Sequence, residues 1–324
     1  MPAPLSIAVQ MDPIETIQVA GDSSFALMLE AQARGHRIAH YLSTALDWVD
    51  GRVRAEVRDL EVHRPAGVEQ PHFRWIDLPR EADLAAEFDV VLMRQDPPFD
   101  MAYVTATHLL ERAQAAGLLV VNDPAAVRNA PEKLYVLEFA DLMPPTMVTR
   151  SLKAAQAFRA RHGEIVVKPL YGNAGAAVFH VGAGDPNLAA LVELFGHVWR
   201  EPFMVQAFLP QVRLGDKRII LIDGEPVGAI NRLPRGGEIR SNLAAGGRAE
   251  PTALSPREAE ICARLGPELK ARGLVFAGID VIDGHLTEIN VTSPTGIVTM
   301  DAFNGTNTPA RFWDAVEAKL RQRA

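Results

Sequence analysis

Three oxygen-bearing side chains near the end of the sequence have the spacing of a magnesium site. Glu288 and Asn290 are two residues apart in an apolar stretch that is predicted to be a strand, so their side chains point to the same face. Asp280 lies on the strand before them. Mg²⁺ prefers oxygen ligands, usually one or two carboxylates together with substrate phosphates. Carboxylates near hairpins are mostly solvated, but polar side chains among apolar strands need a partner, and this favours a metal site.

The turn between these two strands decides whether the three side chains can meet. A two-residue loop at 283–284 would pair Asp280 with Thr287 and would place Glu288 on the opposite face. An odd-length loop or a bulge would bring Asp280 and Glu288 to one face. The sequence therefore predicts an odd-length loop or a bulge in this hairpin.

Two lysines stand where they could bind an anion. Lys168 ends the apolar strand 165–169, immediately before a loop of small residues at 172–177 whose backbone N–H groups can approach a phosphate. Lys133 stands at the start of a predicted helix. Alternatively, Lys168 pairs with a buried carboxylate and Lys133 lies on the surface. The loop matches neither the P-loop nor the Rossmann pattern, which argues against a hydride-transferring dehydrogenase.

Arginines form a third group of candidates, because the planar guanidinium fork suits carboxylates and phosphates. Arg218 alternates with apolar neighbours on a predicted strand, so we expect it to face a site or a buried acid. Glycine pairs at 236–237 and 246–247 bracket a loop that could act as a hinged lid, although most such loops are plain connectors. The arginines concerned are Arg94, Arg218, Arg232, Arg240 and Arg248.

The sequence offers no arrangement for nucleophilic catalysis. Its nine histidines are scattered, without the zinc-protease or serine-hydrolase motifs. Cys262 is the single cysteine and lies among apolar residues of a predicted helix. We therefore expect a packed, inert thiol and no disulfide.

Composition excludes several classes of partner. The 324 residues carry 33 Lys plus Arg against 40 Asp plus Glu, a net charge of −7, which argues against nucleic acid. No apolar run approaches the ~20 residues that cross a membrane. The first residues also lack the positive start and apolar stretch of a signal peptide. We expect a cytoplasmic protein.

The first part of the chain alternates strands with helices, which predicts a doubly wound parallel sheet. Strands are expected at 5–11, 37–42, 89–94 and 118–121. One helix is expected to be capped by Asp22, and another to span 102–116. Ligands bind beyond the carboxyl ends of such strands, where Asp12, Arg94 and Asp96 fall.

The pattern changes after residue 123 and again near 203. The middle part predicts strands at 146–149, 165–170 and 178–181 and a helix at 152–161. The last part predicts antiparallel hairpins with turns at 223–224 and 283–284, and helices at 256–272 and 310–321. We therefore divide the chain into domains at 1–123, 124–202 and 203–324, the last carrying a flexible loop at 234–250.

Short runs in the order of these elements carry a family resemblance. They include Met11-Asp12-Pro13, Arg94-Gln95-Asp96-Pro97-Pro98, Glu132-Lys133-Leu134, Lys168-Pro169-Leu170 and Gly215-Asp216-Lys217-Arg218. The strongest are Asn242-Leu243-Ala244-Ala245-Gly246-Gly247-Arg248 and Thr287-Glu288-Ile289-Asn290-Val291-Thr292-Ser293-Pro294. Over nearly the whole chain the runs resemble the bacterial glutathione synthetase family of the ATP-grasp superfamily. The resemblance implies an α/β (α+β) ATP-grasp fold after an N-terminal doubly wound parallel-sheet domain.

The same resemblance implies an activity and a set of roles. The activity is ATP- and Mg²⁺-dependent ligation of γ-glutamylcysteine to glycine through an acyl phosphate. Mn²⁺ is an alternative metal, and the implied assembly is a homotetramer. Arg218, Arg232 and Arg240 would be catalytic, and Asp280, Glu288 and Asn290 would hold the metal. ATP would be bound by Lys133, Lys168, Gly172, Gly175, Gln206, Ala207, Phe208, Leu209, Asp216 and Asn290. The peptide would be bound by Asp12, Arg94, Asp96, Asn242, Gly246, Gly247, Thr292 and Ser293.

Two other functions remain open at the level of the sequence. Another ATP-grasp carboxylate–amine ligase would share the metal and phosphate residues and differ only in its acceptor. A nucleotide-binding module without turnover would keep the fold and lose the ligase activity. Every expected metal and phosphate residue is present, which argues against this alternative. The loop Gly172-Asn173-Ala174-Gly175 also departs from the Gly-Met-Gly-Gly usual in the family.

Overall fold

The computed structural model describes residues 4–65, 67, 70–172, 175–236, 238–242 and 246–323. Asn173 and Ala174 of the small-residue loop lie outside these ranges. Gly237 and residues 243–245 of the predicted lid also lie outside them.

The first sheet has eight strands and a parallel centre. Its strands are β1 (Ser6–Gln10), β2 (Arg37–Tyr41), β3 (Leu46–Val49), β4 (Arg52–Val62), β5 (Phe73–Trp75), β6 (Arg80–Asp83), β7 (Val90–Met93) and β8 (Leu119–Val121). The order is β3-β4-β2-β1-β7-β8, with β5 and β6 also paired to β4. The neighbours β2-β1-β7-β8 are all parallel, as the sequence predicts.

The other half of this sheet corrects the expectation of a purely parallel sheet. Strand β4 is antiparallel to β2, and β3, β5 and β6 are antiparallel to β4. Buried and exposed residues alternate along β4, and charged side chains occupy many exposed positions. One-sided burial of this kind is typical of antiparallel strands at the open side of a sheet.

Five helices accompany the first sheet and the segment after it. They are α1 (Ser23–Ala33), α2 (Leu84–Glu87), α3 (Met101–Ala115), α4 (Pro124–Arg128) and α5 (Glu132–Tyr135). The Asp22 carboxylate accepts from the Phe25 backbone N–H, so the predicted cap of α1 is confirmed. Asp100 caps α3 through the N–H of Tyr103 in the same way.

The second sheet is antiparallel and has four strands. These are β9 (Thr146–Thr149), β10 (Ile165–Pro169), β11 (Phe179–Val181) and β12 (Phe203–Ala207), in the order β11-β10-β12-β9. Helices α6 (Leu152–His162) and α7 (Leu188–Val198) accompany them. A division of the chain at residue 202 falls immediately before β12, which is an inner strand of this sheet.

The third sheet has five antiparallel strands. These are β13 (Asp216–Ile222), β14 (Glu225–Leu233), β15 (Arg248–Pro251), β16 (Phe276–Ile282) and β17 (His285–Asn290), in the order β15-β14-β13-β16-β17. The helices of this part are α8 (Pro256–Ala271), α9 (Ile297–Asn304) and α10 (Thr308–Arg323). Short 3₁₀ segments lie at Ile14–Thr16, Ser43–Ala45, Val136–Leu142 and Pro210–Leu214.

The C-terminal helix joins the first and third sheets. Trp313 of α10 is fully buried, and its Nε1 donates to the Leu27 carbonyl of α1 at 2.8 Å. Its neighbour Phe312 packs against Phe276 of β16, with ring centroids 6.0 Å apart. Helix α10 therefore fixes the position of the sheet that carries the candidate metal residues. In the described part of the chain, no helix has both the length and the apolar character to span a membrane.

Candidate active site

A cleft with an empty volume of about 850 Å³ lies between the second and third sheets. Strands β10 and β12 line one side of it, β13, β16 and β17 line the other, and residues 239–242 contribute from the predicted lid. The predicted residues in the lining are Lys133, Lys168, Gly172, Gly175, Gln206, Ala207, Phe208, Leu209, Asp216, Arg240, Asn242, Asp280 and Glu288. Thus both predicted lysines and two of the three predicted metal residues meet in one cavity.

The predicted bulge is present in the β16–β17 hairpin. A two-residue turn at Asp283 and Gly284, both with positive φ, pairs Ile282 with His285. The register then shifts between Val281 and Asp280, so that Asp280 pairs with Glu288 and Thr287 is the extra residue. Asp280 and Glu288 consequently share a face.

Two arginines neutralise Asp280. Arg218 forms a bidentate pair of hydrogen bonds with it, from Nε to Oδ1 at 2.5 Å and from Nη2 to Oδ2 at 2.9 Å. Arg232 approaches Oδ1 at 2.9 Å. Burial alone would raise the pKa of Asp280, but the two guanidinium groups outweigh it and hold the pKa below its usual range. The Asn290 amide lies 3.5 Å from Oδ2.

Two lysines neutralise Glu288. The Nζ atoms of Lys168 and Lys133 lie 3.1 and 3.7 Å from its Oε1. Burial opposes ionisation, but the two ammonium groups hold the pKa of Glu288 well below its usual range. Lys168 thus pairs with a carboxylate, and that carboxylate is one of the predicted metal ligands. Lys133 is only 3% exposed, which excludes the surface alternative for it.

Glu132 also belongs to this group, although no role was predicted for it. Its Oε1 lies 2.5 Å from Lys133 Nζ, which also donates to the Gly172 carbonyl at 2.6 Å. Burial and the nearby charge of Glu288 raise the pKa of Glu132. The only sequence signal was its position beside Lys133, because the contact with Glu288 joins segments more than 150 residues apart in the chain.

The lid segment is packed against the site. Arg240 pairs with Glu238 at 2.7 Å, and the Ser241 hydroxyl donates to Asp216 Oδ2 at 2.8 Å. Gly175 has a φ of +72°, and a Cβ atom there would lie 3.2 Å from the Asn242 amide nitrogen. The phosphate-loop glycine and the lid are therefore in close contact, which favours the lid interpretation over a free connector.

A slot with apolar walls opens beside the charged group. Val166, Val178, Phe208 and Leu209 line it, and the His180 ring lies 4.1 Å from the Phe208 ring, centroid to centroid. Gln206 donates through Nε2 to the Thr146 hydroxyl at 3.0 Å. Flat apolar walls with a fixed polar group suit an aromatic base.

Of the residues predicted to bind peptide, Asn242 lines the cleft, and the others lie outside its lining. The buried Arg94 donates to Ser24 Oγ at 2.9 Å and to the Pro294 carbonyl at 3.0 Å. Ser293 donates to the Arg94 carbonyl at 3.3 Å, and Asp12 Oδ2 accepts from the Asp96 N–H at 2.8 Å. Burial raises the pKa of Asp96. Arg218 connects the two groups, since its Nη1 lies 3.4 Å from the Thr295 carbonyl.

The other predicted residues also lie outside the cleft lining. Arg232 and Asn290 contact Asp280, as described above. Gly246 has a φ of +88° and lies beside Arg235, while Gly247 packs against the Ser241 carbonyl. Thr292 lies two residues after the end of β17 and is half-buried.

The donor set at the hairpin fits a hard divalent cation. No cluster of three or more His, Cys, Asp and Glu side chains arranged for a metal occurs within the described ranges. Asp280 and Glu288 instead supply two adjacent carboxylates, and Asn290 adds an amide oxygen. Mg²⁺ commonly takes one or two carboxylates and completes its shell with phosphate and water oxygens.

Family models match the chain in two adjacent parts. The N-terminal domain of prokaryotic glutathione synthetase matches residues 5–128, and the ATP-grasp domain of prokaryotic glutathione synthetase matches residues 132–305. The chain belongs to the prokaryotic glutathione synthetase family. The resemblance predicted from the sequence is thereby confirmed.

Curated relatives of this glutathione synthetase family member match it almost end to end. The glutathione synthetase of Mesorhizobium japonicum is 56% identical over 98% of this chain and 99% of its own length. The glutathione synthetase of Brucella melitensis is 56% identical over 97% of this chain and 99% of its own length. The glutathione synthetase of Escherichia coli O127:H6 is 44% identical over 98% of this chain and 100% of its own length.

Solved structures confirm the fold. The D-cycloserine synthetase DcsG superposes with a TM-score of 0.68 at 17% identity, over 97% of this chain and 99% of that one. The ATP-grasp ligase PsnB complexed with its minimal precursor gives a TM-score of 0.62 at 18% identity, over 99% of both chains. The predicted ATP-grasp fold of this family member is therefore correct.

Proposed function

We propose that this glutathione synthetase family member ligates γ-glutamylcysteine to glycine at the expense of ATP, giving glutathione, ADP and phosphate through an acyl phosphate. One observation carries the proposal. In a chain matched by both glutathione synthetase domain models, the acidic pair Asp280 and Glu288 faces a cleft. Four basic side chains contact this pair, and two of them, Lys133 and Lys168, also line the cleft.

ATP fits the cleft with its base in the apolar slot and its phosphates towards the hairpin. Backbone groups of Gln206, Ala207, Phe208 and Leu209 would hold the adenine, and Lys133, Lys168, Gly172 and Gly175 would contact the phosphates. Asp280, Glu288 and Asn290 would hold Mg²⁺, with Mn²⁺ as a substitute. That cation would neutralise the phosphate charge, which is the main requirement of phosphoryl transfer.

The reaction then has two steps. An oxygen of the cysteinyl carboxylate attacks the γ-phosphorus, the bond to ADP breaks, and an acyl phosphate forms. The glycine amine attacks the acyl carbon, phosphate leaves with the bonding electron pair, and the nitrogen loses a proton. Arg218 and Arg232 would bind the reacting carboxylate and the tetrahedral oxyanion. Arg240 and its loop would exclude water, which would otherwise hydrolyse the acyl phosphate.

The dipeptide would extend from these arginines towards the first sheet. Its binding residues would be Asp12, Arg94, Asp96, Asn242, Gly246, Gly247, Thr292 and Ser293. The contact of Arg218 with the Thr295 carbonyl supports this direction, because it joins the acyl site to the segment that packs on Arg94.

We also propose the setting in which the enzyme works. Family membership supports a homotetramer, with small molecules as its only substrates. The net charge of −7 supports a protein without a nucleic-acid partner. A cytoplasmic location without a membrane partner completes this proposal. Sedimentation of the purified chain would test the tetramer.

The activity is tested by ADP release with ATP and Mg²⁺, adding γ-glutamylcysteine and glycine singly and together. We expect sustained release only with both. Glu288→Gln should lower the rate by roughly 100-fold or more, because it removes a hard ligand and leaves Lys168 without its carboxylate partner. Glu193→Gln, on the exposed side of α7, is the matched control and should keep the wild-type rate.

The other outcomes separate the alternatives. Release with the dipeptide and a different amine would keep the chemistry and overturn glycine as the acceptor. ATP binding without release under any combination of substrates would instead support a non-catalytic nucleotide-binding module.

A further inference from the structure

Two aromatic rings stack where a loop of the first sheet meets a loop of the second. Phe99 lies between β7 and α3, and Tyr171 lies two residues after β10. Their ring centroids are 6.1 Å apart, and their planes are within 6° of parallel. In the described part of the chain, this is the one contact between aromatic rings that joins the loops of these two sheets. The offset-stacked geometry is one that aromatic pairs prefer.

Phe99 is anchored to the first sheet and its helices. Its ring also contacts the ring of Tyr103 on α3, with centroids 5.1 Å apart, and Tyr103 is 1% exposed. The chain is fixed on both sides of Phe99, because Asp100 caps α3 and the Asp96 N–H donates to Asp12 Oδ2 at 2.8 Å. Phe99 is therefore held in the segment that carries Asp96, one of the residues predicted to bind the dipeptide.

Tyr171 is anchored to the phosphate side of the cleft. The next residue, Gly172, lines the cleft, and its carbonyl accepts from Lys133 Nζ at 2.6 Å. A Cβ atom on Gly172 would lie 2.6 Å from Pro169 Cγ, so the chain is tightly packed in this turn. Displacing the Tyr171 ring would displace Gly172 with it. The ring is 38% exposed, and Phe99 covers one of its faces.

We propose that the stack of Phe99 and Tyr171 aligns the two substrates of the first reaction step. The inference rests on the proposed ligase function and deepens it. In that function, the Phe99 segment belongs to the dipeptide site and the Tyr171 segment to the site of the ATP phosphates. Different parts of the chain hold the attacking carboxylate and the γ-phosphorus, so the rate of attack depends on how firmly these parts are joined.

Phe99 and Tyr171 are positioning residues in this proposal. Neither ring belongs to the cleft lining that the described residues form. The stack therefore acts on the relative placement of the two substrates, and it makes no contact that would bind either of them. This distinction gives the test, because the rate of the first step and the binding of the substrates are measured separately.

The rate of the first step is measured as ADP formation in a single turnover by rapid quench, with saturating γ-glutamylcysteine. In Tyr171→Ala, we expect this rate to fall by about three- to tenfold, the factor that corresponds to the loss of one aromatic pair. The half-saturating concentrations of ATP and γ-glutamylcysteine should stay within about twofold of the wild-type values. Tyr171→Phe keeps the ring and should keep the wild-type rate.

Phe179→Ala is the matched control. Phe179 is 39% exposed, and its ring contacts that of Phe195 on α7, at 6.0 Å between centroids, without reaching the first sheet. This variant should keep the wild-type single-turnover rate. Thermal melting of all variants shows that each is folded.

A double variant shows whether the two rings act as one unit. Phe99→Leu keeps an apolar side chain against Tyr103 and removes the flat ring from Tyr171. Phe99→Leu combined with Tyr171→Ala should be no slower than Tyr171→Ala alone, because the same contact is lost in both.

The failures of the two proposals are distinguishable. If the wild-type protein releases no ADP with any combination of substrates, the ligase function itself is wrong. If the wild type is active and Tyr171→Ala keeps its single-turnover rate, the role of the stack is wrong. A change confined to the half-saturating ATP concentration, losses that multiply in the double variant, or an equal loss in Phe179→Ala would each overturn it as well.

Discussion

Asp280 and Glu288 are adjacent, but each is neutralised by a different kind of cation. Arg218 holds Asp280 through a planar fork with two hydrogen bonds, a geometry that resists rearrangement. Lys168 and Lys133 hold Glu288 as compact charges on flexible stems. A lysine can turn from a carboxylate to a phosphate by rotating its stem. This difference matches the proposed roles, with lysines for the mobile nucleotide and arginines for the acyl centre.

The buried position of Cys262 predicts that its thiol is unreactive in the folded protein. Its thiol is 1% exposed, and burial raises its pKa to about 12. The reactive thiolate is therefore scarce at any pH below that value and becomes accessible only on unfolding. We expect iodoacetamide at pH 8 to leave the folded protein unmodified over the time in which it labels the guanidinium-unfolded chain completely. Mass spectrometry of both samples measures this, and rapid labelling of the folded protein would contradict the buried position.

At the scale of the elements, the β16–β17 hairpin shows how much structure the local sequence predicts. The Asp283-Gly284 turn and the apolar alternation predicted both strands, and the need to bring Asp280 and Glu288 to one face predicted the bulge. The antiparallel strands between residues 46 and 83 were missed, because their many charged residues resemble a loop until the partner strand is known. Register and burial are decided by neighbours, which short-range patterns do not encode.

A substitution at Gly247 tests whether the activity depends on the position of the lid. A Cβ atom on Gly247 would lie 2.0 Å from the Ser241 carbonyl oxygen, whereas Gly236 in the same loop has open space around it. Gly247→Ala should therefore displace the lid. We expect kcat/KM to fall at least about tenfold, because exposure to water and loss of lid contacts both act on the transition state.

Gly236→Ala is the matched control for this change and should keep wild-type kinetics. Thermal melting should give similar midpoints for both variants, since the loop is far from the cores. Equal kinetics for Gly247→Ala and Gly236→Ala would show that the lid does not need its close approach to Ser241.

At the scale of the whole molecule, one buried side-chain amide connects the first sheet to the third, in addition to helix α10. Asn122, directly after β8, donates to the carbonyls of Phe276 at 2.8 Å and Val291 at 2.7 Å, and accepts from the Phe276 N–H at 2.8 Å. These contacts join positions more than 150 residues apart. The sequence marked 122–124 only as a boundary, because no local pattern reveals such distant partners.

Asn122→Ala should loosen the junction between the two sheets. Three backbone groups of β16 and its neighbour would lose their partners while staying buried, and we expect a loss of roughly 3 kcal/mol in the free energy of unfolding. Asn129→Ala removes an exposed amide that bonds only within its own helix turn, and should cost less than about 0.5 kcal/mol. Urea unfolding of both variants, followed by tryptophan fluorescence, measures the difference. If Asn122→Ala unfolded like Asn129→Ala, the junction would have to be held by the α1–α10 packing around Trp313 and not by the amide.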